Sequence, residues 1–161
     1  MTVRIGVKRL VDSYFDDLGV GDQEITRART VTETDVVNWC ALTGDWFVMH
    51  SDKEFAERSV FGQRLVPGLM LVAFCGGLGV PPDAEAIMAN YGSDRIRYPR
   101  PTFIGDTVHC EIEVAELTPR DDRTGLVAFD WRMLNQKDEL VMVCQLKVVS
   151  WRNADVRRVP A

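Results

Sequence analysis

The chain has 161 residues, of which 46% are hydrophobic and 27% are charged, and these values suit one ordinary globular domain with a sizeable core. Its net charge of −5 argues against a general nucleic-acid-binding protein, which usually presents a basic face. The four cysteines have no CxxC or metal-binding spacing, so we expect buried free thiols in a reducing, cytoplasmic compartment.

The N-terminal segment is predicted to carry no secretion signal, because residues 1–15 contain no apolar run of the required length. A short helix followed by a turn is expected within residues 1–21. Residues 24–32 combine charged, β-branched and small side chains ahead of a helix start, and this pattern favours a strand.

The first long helix is predicted to begin after Thr32. Asp35 follows three positions later, which is the spacing of a capping box. Gly44 is predicted to end the helix, because glycine adopts the left-handed conformation common at helix C-termini without steric cost. The face expected to be buried consists of Val36, Val37, Cys40 and Ala41.

Two further helices are predicted in the middle of the chain. Ser51 and Asp52 indicate the start of a short helix that reaches Arg58. Pro67 suits the first turn of the other helix, about 68–78, because this position needs no backbone N–H. That helix is apolar on every side, so we expect it to be buried all round. Its apolar run is too short to span a membrane.

Two adjacent glycines in the apolar helix, Gly76 and Gly77, are expected to let it approach a sheet closely. The segment after the helix contains a Pro-Pro pair. Residues 80–92 are therefore predicted to form a loop, with one helical turn at 84–88.

The C-terminal half has the pattern of β-strands. Hydrophobic and polar side chains alternate over 108–114 and again over 127–133, which indicates half-buried strands. Residues 140–149 are apolar on both faces for much of their length, as in a central strand. A loose tail is expected from about residue 152. One buried helix and three long strands predict an α+β fold, in which a curved antiparallel sheet surrounds the helix.

A carboxylate and an imidazole lie five positions apart in residues 44–50, GDWFVMH. Histidine titrates near neutral pH, and a carboxylate beside it orients the ring or shares a water, so Asp45 and His50 are candidates for proton transfer. The alternative is a turn aspartate followed by an unrelated, structural histidine. The second histidine, His109, lies on the polar side of an alternating strand and is expected at the surface.

This pair lies within a longer run, residues 30–79, whose sequence is TVTETDVVNWCALTGDWFVMHSDKEFAERSVFGQRLVPGLMLVAFCGGLG. The run resembles the MaoC-like dehydratase family, the (R)-specific enoyl-CoA hydratases built on the hot-dog fold. Residues 14–22, 94–99 and 103–108 are similar to other segments of the family. Because the resemblance covers most of the chain, it implies a single α+β hot-dog domain over residues 1–161.

The resemblance implies a hydratase or dehydratase that acts on an α,β-unsaturated acyl thioester, such as a 2-enoyl-CoA. Asp45 and His50 are implied to hold a water against the β-carbon, while the backbone N–H of Gly68 binds the enolate oxygen. This reaction needs no cofactor and no metal. Arg64 is a candidate for binding a phosphate of the acyl carrier. The residues expected to contact the substrate are Trp46, Phe47, Arg64 and Gly76.

Three departures from the family pattern concern the shape of the acyl pocket. Phe47 and Val48 replace an Asn-Pro pair, Pro67 replaces a histidine, and Gly76 replaces a small hydroxyl residue. Phe47 is expected to narrow the pocket, with packing into the core beneath the loop as the alternative. Gly76 is expected to open it.

A lone hot-dog monomer leaves one sheet face uncovered, so the resemblance implies at least a homodimer, with no nucleic-acid or membrane partner. Two other functions stay open, namely an acyl-CoA thioesterase on the same fold and a non-catalytic acyl-binding subunit of a dehydratase assembly. The spacing of Asp45 and His50 argues against the thioesterase. The presence of both residues argues against the inactive subunit.

Overall fold

A seven-stranded sheet and a long apolar helix form the body of the protein in the computed structural model, which describes residues 3–4 and 9–157. The helices are α1 (Glu33–Thr43), α2 (Val48–Ser51), α3 (Lys53–Glu57), α4 (Gly68–Gly79) and α5 (Ala154–Arg157). The strands are β1 (Val3–Arg4), β2 (Gln23–Ile25), β3 (Arg29–Thr30), β4 (Ile87–Arg97), β5 (Thr107–Pro119), β6 (Thr124–Leu134) and β7 (Leu140–Trp151).

The strand order is β1-β2-β5-β6-β7-β4, and β3 also pairs with β5. The long strands β4 to β7 run antiparallel to their neighbours, and short turns connect β5 to β6 and β6 to β7. Helix α4 packs against β5 and β7, and its buried side chains join those of β5, β6 and β7 in one hydrophobic cluster. The predicted α+β hot-dog fold, with a sheet around a central helix, is therefore confirmed.

The ends of α1 follow the predicted local chemistry. The Thr32 hydroxyl accepts a hydrogen bond from the Asp35 N–H, and the Asp35 carboxylate accepts one from the Thr32 N–H. These two bonds satisfy N–H groups that have no partner within the helix. Gly44 ends the helix with φ of 77°, a left-handed conformation that favours glycine. The predicted capping box and glycine stop are both confirmed.

The buried face of α1 is narrower than predicted. Val36 and Cys40 are buried, but Val37 is 41% exposed and Ala41 is also exposed. Successive helical residues are rotated by about 100°, so a helix covered on one side only buries a single stripe. Helix α1 is such a surface helix, and the prediction for Val37 and Ala41 was wrong.

Helix α4 is not buried all round, contrary to the prediction. Leu69 is 65% exposed, and Ala73 and Gly77 are exposed at the next two positions of the same i, i+4 row. The sheet covers the opposite side of α4, where the buried residues are Met70, Leu71, Cys75, Leu78 and Gly79. The described residues of this chain therefore leave one apolar stripe of the helix uncovered.

Close approach between α4 and the sheet occurs at Gly79, and not at the two glycines predicted for it. A Cβ on Gly79 would lie 2.3 Å from the Trp131 ring, so only glycine fits there. A Cβ on Gly76 or Gly77 would meet no atom within 4 Å. These two residues face open space. The position that requires glycine is the end of the helix, where Trp131 packs against Gly79.

Strand β4 begins at Ile87, inside the segment predicted as a loop with a helical turn at 84–88. Among the described strands, β4 pairs with β7 alone. Most of its residues are exposed, so it lacks the alternation that identifies half-buried strands. Its register shifts at three places, which disturbs the pattern further. The strand predicted over 24–32 is also divided, into β2 and β3.

The tail predicted from about residue 152 is ordered as far as Arg157. Arg152 donates hydrogen bonds to the Asp16 carboxylate, and Arg157 lies 3.0 Å from the Glu85 carboxylate. Short helix α5 lies between these contacts, so the prediction of a loose tail was wrong for residues 152–157. Residues 158–161 lie outside the described part of the chain.

All four cysteines are free and buried, as predicted. The sulfur atoms of Cys75 and Cys110 lie 3.5 Å apart between α4 and β5. Their hydrogen bond, followed by the contact with Cys144 and by burial, raises the pKa of the Cys75 thiol. Among the described residues, no helix has the length and hydrophobicity needed to cross a membrane.

Candidate active site

Two backbone carbonyl groups hold His50, one just before α2 and one in the segment before α4. Its own N–H donates to the Phe47 carbonyl, and its Nδ1 lies 2.8 Å from the Leu65 carbonyl oxygen. A carbonyl oxygen only accepts hydrogen bonds, so Nδ1 carries the proton that it donates to Leu65. In the neutral ring Nε2 is then an unprotonated acceptor, available for proton transfer.

Asp45 lies beside this free nitrogen. Gly44 turns the chain after α1, and Asp45 follows at once, with its Oδ2 3.9 Å from His50 Nε2. This separation is too long for a direct hydrogen bond. A carboxylate and a neutral Nε2 are both acceptors, so a water between them can donate one proton to each. The structure thus brings together the two residues predicted to act as a pair.

A cleft of about 390 Å³ opens next to His50. Its lining is mainly apolar and comes from α2, from the segment before α4, from the start of α4 and from the β4–β5 loop. The lining residues are His50, Phe61, Leu65, Val66, Gly68, Leu71, Tyr98, Pro99, Arg100, Pro101 and Thr102. An apolar cleft with a few polar groups is the usual form of a small-molecule site.

Gly68 is the first residue of α4 and faces the same cleft. Within residues 3–4 and 9–157, its N–H has no hydrogen-bond partner, as expected in the first turn of a helix. The positive end of the helix dipole favours an anion here. A Cβ at this position would lie 2.7 Å from the Tyr98 ring, so any larger residue would displace that half-exposed ring.

Trp46 and Phe47 are surface residues that do not line this cleft. Phe47 is 57% exposed, so its alternative assignment to the core is wrong. Its ring meets the His50 imidazole edge to face, with the ring centres 5.5 Å apart. Phe47 therefore contacts the candidate proton-transfer residue directly. Trp46, the residue before Phe47, is 54% exposed and is likewise a surface residue.

Arg64 is paired with Glu33 and is not among the residues that line the cleft with His50. Its guanidinium makes two hydrogen bonds to the Glu33 carboxylate at the start of α1. The hydrogen bond from Arg64 holds the pKa of the Glu33 carboxyl below its usual range. Arg64 lines a separate small cleft with Lys53 and Glu57. The positive charge predicted to bind a carrier phosphate is thus already paired within the chain.

Gly76 borders a second cavity, of about 360 Å³, between α4 and strands β4 and β7. A side chain at Gly76 would enter open space, because no atom lies within 4 Å of its ideal Cβ position. Most of the cavity wall is apolar, and Val72, Leu146 and Val148 contribute to it. Gly76 therefore leaves room beside the helix, and its role in opening an acyl pocket stays a prediction.

Among the groups not identified from the sequence are one that contacts His50 and one that contacts Gly68. The Leu65 carbonyl that orients His50 is a backbone atom, so no residue type indicates it. Tyr98 follows β4 and covers Gly68, a contact across 30 positions that no local pattern predicts. Its position before a Pro-Arg-Pro segment indicates a loop, but not which residue the ring contacts.

Comparison with known proteins places the chain in a family. The profile of the MaoC-like domain matches residues 20–130, more than half of the chain. The chain belongs to the MaoC-like dehydratase family. It is 37% identical to Protein MaoC of Klebsiella aerogenes over 111 residues, which cover 69% of this chain but 33% of that relative. This MaoC-like chain therefore spans about a third of that protein.

Two further relatives match over most of their own length. The 3-hydroxybutyryl-CoA dehydratase of Methylorubrum extorquens is 36% identical over 116 residues, which cover 70% of this MaoC-like chain and 71% of the relative. The structure of a monoamine oxidase regulatory protein from Archaeoglobus fulgius superposes with a TM-score of 0.82 at 31% identity. That match covers 88% of this chain and 95% of the other.

Three groups with distinct chemistry lie in or beside the cleft of this MaoC-like chain, because His50 and Gly68 line it and Asp45 lies next to His50. His50 provides an unprotonated ring nitrogen, Asp45 provides a carboxylate, and Gly68 provides a backbone N–H at a helix N-terminus. The first two can accept and return protons of a shared water. The third can bind an oxygen on which negative charge develops.

Proposed function

We propose that this protein catalyses the reversible addition of water to an α,β-unsaturated acyl thioester, such as a 2-enoyl-CoA. The observation that carries the proposal is the 3.9 Å separation between His50 Nε2 and Asp45 Oδ2, beside a cleft that also contains Gly68. Two acceptors at this distance suit one water molecule. A helix N-terminus in the same cleft suits the oxygen of a thioester.

In the proposed reaction, the oxygen of the water attacks the β-carbon while one member of the pair takes a proton from it. The electron pair of the carbon–carbon double bond then moves toward the thioester carbonyl, which becomes an enolate. The Gly68 N–H stabilises the enolate oxygen. The proton that the pair has accepted from the water is then delivered to the α-carbon, which gives the 3-hydroxyacyl thioester and restores both residues. Dehydration follows the same steps in reverse.

The second cavity, beside Gly76, is the proposed site of the acyl chain. Its apolar wall suits a hydrocarbon, and its volume of about 360 Å³ is comparable with ordinary small-molecule sites. The name of the Methylorubrum extorquens relative, a 3-hydroxybutyryl-CoA dehydratase, supports a CoA thioester as the substrate class. Phe47 is proposed to act at the rim through its contact with His50, and Trp46 to lie beside it. Arg64 has no role in this proposal.

We also propose a homodimer in the cytoplasm. The uncovered stripe of α4 exposes Leu69, and strand β4 has one edge with no partner among the described strands. Both features favour association with a second copy. Sedimentation should give at least about twice the chain mass of 18.2 kDa, and Leu69→Lys should weaken the association. A stable monomer with full activity would contradict this part of the proposal.

The test is a spectroscopic assay with enoyl-CoA substrates of different length. Hydration removes the conjugated double bond, so absorbance of the enoyl thioester falls while free thiol stays constant. Release of thiol at the same rate as the absorbance loss would identify a thioesterase and overturn the proposal. If neither the absorbance nor the free thiol changes with any substrate, the protein is a non-catalytic acyl-binding protein.

A further inference from the structure

Tyr98 covers the start of α4 with the hydroxyl-bearing end of its ring. An ideal Cβ on Gly68 would lie 2.7 Å from Cζ of Tyr98, and 2.8 and 3.1 Å from its two Cε atoms. The carbon that bears the hydroxyl is therefore the part of the ring closest to Gly68. Because a Cα–Cβ bond in a helix tilts toward the N-terminus, this end of the ring lies at the end of α4 where the Gly68 N–H is free.

Tyr98 shares the cleft with His50 and Gly68. Its side chain belongs to a residue that is 42% exposed, and its hydroxyl has no hydrogen-bond partner among residues 3–4 and 9–157. Burial, and then the nearby thiols of Cys144 and Cys75, raise the pKa of Tyr98. The phenol therefore keeps its proton at neutral pH and can act as a hydrogen-bond donor.

A second hydroxyl in the cleft wall also has no partner. Thr102 is 3% exposed, and in the described part of the chain its Oγ1 makes no hydrogen bond. Buried polar atoms are usually paired with protein or with a bound molecule. The cleft thus combines a free N–H, a free phenol and a buried free hydroxyl, which is the arrangement of a site built for a ligand with oxygen atoms.

We propose that the Tyr98 hydroxyl is a second hydrogen-bond donor to the thioester oxygen, acting together with the Gly68 N–H. The inference rests on the hydratase function proposed above and adds a catalytic residue to it. Tyr98 stays protonated throughout the reaction and exchanges no proton with the substrate. It donates a hydrogen bond that strengthens as negative charge develops on the enolate oxygen. Two donors fixed by packing stabilise that charge without reorganisation.

Tyr98→Phe is the direct test, because phenylalanine keeps the ring over Gly68 and removes only the hydroxyl. Loss of one donor to a developing oxyanion lowers kcat by about 10²-fold, and KM should change little. Tyr91→Phe is the matched control. Tyr91 lies on β4, is 62% exposed and is absent from the cleft lining, so this variant should retain wild-type rates.

A second measurement reports on the carbonyl itself. A chromophoric arylacryloyl-CoA absorbs at longer wavelength when hydrogen bonds polarise its thioester carbonyl, so the bound spectrum should shift less in Tyr98→Phe than in the unaltered chain. Wild-type kcat, or a full spectral shift despite lower kcat, would overturn the inference while leaving the hydratase function intact. Absence of hydration by the unaltered chain would overturn both.

Discussion

The Leu65 carbonyl fixes the orientation of the His50 imidazole. The His50 Nδ1–H donates a 2.8 Å hydrogen bond to this carbonyl, and the Leu65 N–H donates to the Met49 carbonyl in α2. Gly68 follows three residues later, so one short segment both orients the imidazole and presents the N–H at the start of α4. Val66, the residue after Leu65, donates its backbone N–H to the Thr102 carbonyl of the β4–β5 loop.

Asp45→Asn and His50→Ala should each lower kcat by at least about 10²-fold, the usual contribution of a general acid or base. Neither residue belongs to the hydrophobic core, and the backbone hydrogen bonds of α2 remain in both variants, so we expect the fold to persist. Steady-state hydration rates and circular dichroism provide the check. Asp52→Asn is the control, because Asp52 caps α3 and an amide retains the acceptor. Near-normal turnover in either active-site variant would remove the pair from the mechanism.

Phe47→Ala should lower kcat by roughly two- to tenfold, because an edge-to-face aromatic contact contributes about 0.5–1.5 kcal/mol. The reduction should be equal for short and branched enoyl-CoAs, since Phe47 does not line the cleft. Its side chain is mostly in solvent, so the melting temperature should hardly change. Phe55→Ala, a change at another half-exposed phenylalanine, should leave kcat unaltered. A shift in acyl preference would instead place Phe47 in the acyl pocket.

Features that depend on neighbouring residues were predictable from the sequence. The Thr32–Asp35 capping box and the Gly44 stop are local hydrogen-bonding and backbone preferences, and both are present. The alternation in β5 follows from one face of the strand being buried, and it is present as well. The Asp45–His50 contact belongs to this class, because five positions separate the two residues.

Features that depend on distant contacts were not predictable. Arg64 meets Glu33 across 31 positions, and nothing in the local sequence distinguishes this paired arginine from a free one. Strand β4 was missed because an exposed edge strand has no hydrophobic alternation. The exposed stripe of α4 cannot be recognised from composition, because every side of that helix is apolar and only the packing shows which side is covered.

The Arg64–Glu33 pair should stabilise the protein at neutral pH and not in acid. Arg64 lowers the pKa of Glu33 in the folded state. The contribution of the pair to the free energy of unfolding is therefore fully present above the pKa of an unfolded glutamate, ~4.3. The contribution is lost as pH falls through the lower pKa of the folded state. Glu33→Gln should therefore destabilise the chain at pH 7 by less than ~1 kcal/mol, given the exposure of the pair, and have no effect in strong acid.

Chemical denaturation across this pH range measures the effect, and Glu57→Gln is the matched control. Glu57 lies 3.6 Å from Lys53 in an exposed pair on α3, and should contribute less. Arg64→Gln should leave kcat/KM for enoyl-CoA unchanged, because its cleft is separate from the one that contains His50. A rise in KM for enoyl-CoA, but not for an enoyl thioester without phosphate groups, would show that Arg64 binds the carrier phosphate.

Gly76→Ala should stabilise the protein and narrow its acyl preference at the same time. Alanine is favoured over glycine in a helix by roughly 0.5–1 kcal/mol, and the new Cβ meets no atom within 4 Å. The melting temperature should rise by about 2–4 °C per kcal/mol in a chain of this size. The added methyl enters the cavity beside α4, so kcat/KM for bulky acyl groups should fall relative to short ones by about tenfold.

Gly77→Ala separates the two effects of that change. Gly77 is the next residue of α4, its added Cβ also meets open space, and it is absent from the cavity lining. This variant should gain the same helix stabilisation and keep the original ratio of kcat/KM for short and long enoyl-CoAs. If both variants raise the melting temperature but neither alters that ratio, the cavity beside Gly76 does not hold the acyl chain, and the acyl chain must bind outside that cavity.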